Sequence, residues 1–164
     1  MFCVYPKLYP KGAAELLFVA FVVVIFLTFG SVTSRAQRQR AQAEDQPLFV
    51  DFKGVHIGMP AEEARKKLGS PRDKSDEQDF YVFSANETAQ IVYAAQKVVT
   101  ISADYTGGVG APEYKAVVGN GLLLTRPDGS VFRMVMYDSE HFWVSYNKSN
   151  SMVPTVTITI GTLK

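Results

Sequence analysis

The chain has 164 residues, 47% apolar and 20% charged, with a formal charge of +1 and a mean hydropathy of +0.02. From Pro47 onward it carries 12 Lys and Arg against 13 Asp and Glu, a near-neutral balance that argues against nucleic-acid binding through phosphate neutralisation. Its single cysteine, Cys3, excludes an intrachain disulfide framework and any multi-cysteine metal site.

Residues 1–33 read as a signal-anchor or transmembrane segment. Between residues 13 and 33 the only charge is Glu15, and an apolar run extends from Leu16 to Phe29. That length lies near the lower limit for a helix crossing a bilayer. Lys7 and Lys11 precede it and Arg35, Arg38 and Arg40 follow, so the basic flanks nearly balance. Small residues in Ser34-Arg35-Ala36 and Ala41-Gln42-Ala43 also suit signal cleavage. Two placements therefore stand: a membrane-anchored chain with its body outside the cytoplasm (periplasmic), or a secreted or periplasmic body after cleavage. No lipid-attachment motif surrounds Cys3. Residues 34–47 are a polar linker of Gln, Arg and Ala with too few large apolar residues to pack.

Residues 48–164 form the body. Leu48 to Phe52 suggests a short strand, and Gly54 to Met59 leads into a helix over Pro60–Leu68. Proline suits the first turn, Glu62 and Glu63 the helix N-terminus, and Arg65, Lys66 and Lys67 the C-terminus. Gly69 then ends the helix and Pro71 blocks its continuation. Strands are predicted at Phe80–Phe83, Ala89–Tyr93 and Val98–Ser102, an antiparallel meander. The second half repeats that order, with a short helix near Pro112–Gly119 and strands at Val131–Tyr137, Phe142–Tyr146 and Thr155–Ile160. The expected class is α+β, an N-terminal transmembrane or signal helix followed by a helix and meander repeated as 54–105 and 111–162.

Gly54-Val55-His56-Ile57-Gly58-Met59-Pro60-Ala61-Glu62-Glu63-Ala64, followed by Leu68-Gly69-Ser70-Pro71, resembles the opening of BamE/SmpA-like outer-membrane lipoprotein domains. In tandem, the helix-plus-meander unit is similar to the β-lactamase inhibitor protein fold. The resemblance is clear over Gly54–Ile101 and weaker beyond. It implies a non-catalytic envelope protein, without cofactor, that works through contacts with envelope proteins or membrane lipid, as an assembly module or an inhibitor. A structural role, as a membrane-anchored spacer or scaffold, is the alternative. The chain departs from the lipoprotein members by lacking their lipid-bearing cysteine, for which the segment 13–33 would substitute. Gly54, Gly58, Met59, Leu68, Gly69 and Pro71 carry the motif as fold residues.

No catalytic constellation emerges. His56 and His141 are the only histidines, the body has no cysteine, and scattered carboxylates do not make metal-ligand spacing. Gly107-Gly108-Val109-Gly110 lacks the Lys-Ser/Thr of a phosphate loop. The candidate partner-binding residues are His141, Phe142, Trp143 and Tyr146. Strand alternation places Phe142 and Tyr146 on one face and Trp143 on the other, and interface anchors favour Trp and Tyr.

Overall fold

A computed structural model describes residues 46–163. Strands β1 (Asp51–Phe52) and β2 (Val55–His56) form a hairpin around Lys53-Gly54. Both turn residues have positive φ, and the Asp51 carboxylate accepts the Gly54 N–H at 2.8 Å. Helix α1 (Ala61–Leu68) turns Ala61 and Ala64 inward and leaves Glu62, Glu63, Lys66 and Lys67 to solvent. It stops at Gly69, whose φ of 86° and ψ of −160° suit only glycine and whose N–H closes on the Arg65 carbonyl.

Four strands follow: β3 (Asp73–Lys74), β4 (Gln78–Val82), β5 (Glu87–Ala94) and β6 (Lys97–Thr106). Helix α2 (Tyr114–Val118) ends at Gly119 in the same backbone conformation as Gly69. Four more strands complete the body: β7 (Leu124–Thr125), β8 (Val131–Tyr137), β9 (Phe142–Lys148) and β10 (Thr155–Thr162), with a 3-10 turn at Asp138–Glu140 between β8 and β9.

All eight strands from β3 to β10 enter one antiparallel sheet in the order β3-β4-β5-β6-β10-β9-β8-β7. Each half is a meander, and the halves join through their last strands. Ile158 stands opposite Ala103, and Ile160 opposite Ile101. Alternation along both strands sends Ile101, Ala103 and Tyr105 and also Val156, Ile158 and Ile160 to one buried face. The β1–β2 hairpin and both helices cover that face, where Val55, Met59, Ala64, Val117 and Val118 join the core.

The expected class is corrected on this point. The described residues are mostly antiparallel sheet, with helices of eight and five residues. None of their helices is long and apolar enough to cross a membrane. The sequence suggests that β6 ends at Ser102, whereas pairing with β5 on one side and β10 on the other carries it to Thr106. The β6–β10 seam along that longer strand merges the two expected units into one sheet. The segment 13–33 and the linker up to residue 45 lie outside the described residues.

Candidate functional site

The sheet face opposite the helices contributes no side chain to the core cluster of the described residues. Cross-strand register sets out its rows. One runs Val92, Thr100, Gly161, Trp143, Met136, and the next Phe80, Gln90, Ser102, Thr159, Ser145, Met134. The middle of the face is hydroxyl-rich and internally bonded. Ser102 and Thr159 hydroxyls lie 3.2 Å apart, and Thr157 donates to the Asp104 carboxylate at 2.6 Å. Toward β8 the face becomes apolar, with Met134 42%, Met136 55% and Leu124 67% exposed.

Trp143 lies half-buried on this open face, laid over Gly161. A Cβ at Gly161 would come within 2.5 Å of Trp143 Cζ2 and 2.6 Å of Cε2. The glycine is there for space, since its φ is not positive. Nearby, Asn147 stands between Phe132 and Thr157 with a buried side-chain oxygen that has no partner. Exposed Met and a half-buried Trp beside a polar centre make a surface suited to contact with a protein.

The sequence-predicted partner residues separate in space. Phe142 and Tyr146 belong to the helix-covered core, 9% and 7% exposed. Tyr146 packs edge-on against Tyr114 of α2 at 6.3 Å, and Phe142 against Tyr137 at 5.4 Å. Alternation along β9 points these two inward. Trp143 alone of the three aromatics faces outward. His141 is exposed and left-handed (φ 58°), closing the 3-10 turn with its N–H on the Asp138 carbonyl at 3.3 Å.

The motif residues are placed as parts of the frame. Gly54 forms the hairpin turn, and Gly58 (φ 82°) donates its N–H to the Val98 carbonyl at 2.8 Å. Met59 is buried, Leu68 and Pro71 are half-buried, and Gly69 caps α1.

Two arrangements escaped the sequence reading. The first is a buried carboxylate network that ties α1 to the sheet. Asp79, fully buried, receives Arg65 Nε at 2.8 Å and Nη2 at 3.2 Å. The Tyr93 hydroxyl donates to it at 2.7 Å and that of Tyr81 at 3.4 Å. Burial pushes the Asp79 carboxyl upward, but the bonds from Arg65 and Tyr93 outweigh it and hold the group below its ordinary range. Burial raises both tyrosines, Tyr81 to about 12, with the Asp79 charge adding to the effect. Only period-two alternation at Gln78–Val82, which turns Asp79 inward with Tyr81, signals this pair in sequence. The second is a cleft of about 380 Å³ lined by residues including Asp51, Gly54, His56, Glu140 and Phe142, where the hairpin meets the 3-10 turn. Among the described residues, no group of three or more His, Cys, Asp or Glu is placed to hold a metal ion.

Compared with protein-family models, curated proteins and solved structures, the chain matches none.

Proposed function

We propose that this chain is a non-catalytic protein-binding module of the cell envelope, working outside the cytoplasm and brought to the membrane by its apolar segment 13–33. On this reading the Gly54–Pro71 motif sets the frame, similar to BamE/SmpA-like or inhibitor domains, and the uncovered sheet face receives the partner. The observation that carries the reading is Trp143, laid over Gly161 beside exposed Met134 and Met136. Large apolar side chains on an otherwise hydroxyl-rich, uncovered face favour a protein partner over a small polar ligand.

Photo-crosslinking in membranes tests it. A benzophenone amino acid at Trp143 or Thr159 is expected to capture a discrete partner protein. The same probe at Glu63, on the solvated side of α1, is expected to capture none. Equal capture from both sides, or none from the open face, would refute the reading.

A further inference from the structure

Strand β8 runs from Val131 to Tyr137, yet its neighbour β7 pairs only with Val131 and Phe132. Among the described residues, no strand pairs with the outer backbone edge of Met134, Val135 and Met136. Edge strands are ordinarily guarded by charge, proline, a bulge or extreme shortness. This stretch, though short, holds no charge, proline or bulge, and its register with β9 runs without a shift. The charge that precedes it, Arg133, is turned to the helix-covered side, where it donates to the Val118 carbonyl at 2.9 Å. At the opposite end of the sheet the corresponding strand β4 is shorter, and β3 pairs with its Asp79 and Phe80.

The unguarded stretch also matches itself. Met134-Val135-Met136 reads the same in both directions, so an antiparallel pairing about a two-fold axis at Val135 sets Met134 against Met136 of the other copy, twice. No like charges meet, and both methionine pairs fall on the open face.

We propose that β8 is a self-association edge, through which two copies of this chain join their eight-stranded sheets into one. The self-matching of the stretch favours a second copy over an unrelated strand. A two-fold axis perpendicular to the sheet keeps both open faces on the same side. Trp143, Met136 and Met134 of the two copies then form one central apolar strip. The partner reading above does not depend on this pairing, because the open face stays available in the dimer. The ladder is short, so association depends on concentration.

The test uses full-length chains in detergent with Cys3→Ser as background. One preparation carries Met134→Cys and another Met136→Cys; they are mixed and oxidised. Directly opposed residues of an antiparallel pair sit within disulfide reach, whereas positions offset by two do not. The mixed disulfide is therefore expected to exceed the Met134→Cys homodimer, and a fully exposed Met152→Cys control, by about tenfold. As a second arm, Met134→Lys with Met136→Lys opposes lysines across the axis and is expected to lower amine-crosslinked dimer about tenfold, with far-ultraviolet circular dichroism unchanged. A mixed disulfide no stronger than either control overturns the proposal, as does a folded lysine variant that dimerises as the parent does.

Discussion

Replacing Gly161 with Ala tests the packing on which the open face depends. The new Cβ would sit 2.5 Å from Trp143 Cζ2, where ordinary contact begins near 3.4 Å. The indole must therefore lift by about 1 Å or swing into solvent. Overpacking of this kind costs about 1–3 kcal/mol. Acting against it, a Gly→Ala change at an ordinary φ stabilises by about 0.4–1 kcal/mol through the unfolded chain. The net expectation is a loss of about 0.5–2 kcal/mol, with the sign set by Trp143. Because Trp143 is the sole tryptophan, its fluorescence reports the displacement directly. Gly161→Ala should shift emission to the red and raise quenching by acrylamide, while the denaturant midpoint falls. In a Trp143→Ala background the same change should become neutral or stabilising, giving a coupling of about 1–3 kcal/mol. Unchanged emission, or the same loss in both backgrounds, would refute the stacked arrangement.

Asp79→Ala should destabilise by about 2–4 kcal/mol, since it removes the buried acceptor of Arg65 and of two tyrosine hydroxyls while Glu62 and the Ser75 carbonyl still hold the guanidinium, and equilibrium unfolding checks this. The folded Asp79 carboxyl lies below its unfolded value of about 3.9, so its contribution is present above that pH and lost as pH falls through the folded value. Acid titration of stability should accordingly be flatter in Asp79→Asn. Tyr81 has the opposite sign: its contribution is full below pH about 10 and lost as pH rises toward the folded value of about 12, so Tyr81→Phe should blunt the alkaline loss. Gly69→Ala forces a side chain into a backbone region that only glycine occupies readily, and a loss of about 1–3 kcal/mol is expected in thermal unfolding. Gln96→Gly should act the other way. Ala95 and Gln96 form the two-residue β5–β6 turn with φ of 48° and 59°, and removing one strained side chain should stabilise by about 1 kcal/mol, read as a higher midpoint in thermal unfolding.

Much of the local structure was legible because its causes are local. The acidic start, basic end and glycine stop of α1 sit within a dozen residues, and β8 occupies the stretch predicted for it after the Pro127-Asp128-Gly129 turn. The two-residue strands β3 and β7 were missed, since each exists only by lying beside β4 or β8. The candidate partner residues were half legible. Alternation divided Phe142 and Tyr146 from Trp143, but period two does not say which face the helices cover.

By itself, then, the single cysteine excluded an intrachain disulfide framework, and short-range periodicity and glycine placement determined most of the body's elements. Only the tertiary structure decided that the two meanders share one sheet and that Trp143 lies outward over Gly161. It alone placed Asp79, Arg65 and Tyr93 in one buried network. The reason is physical: sheet neighbours and the covered face are chosen by contacts between residues some fifty positions apart, such as Ile158 with Ala103. No pattern within a single strand records them.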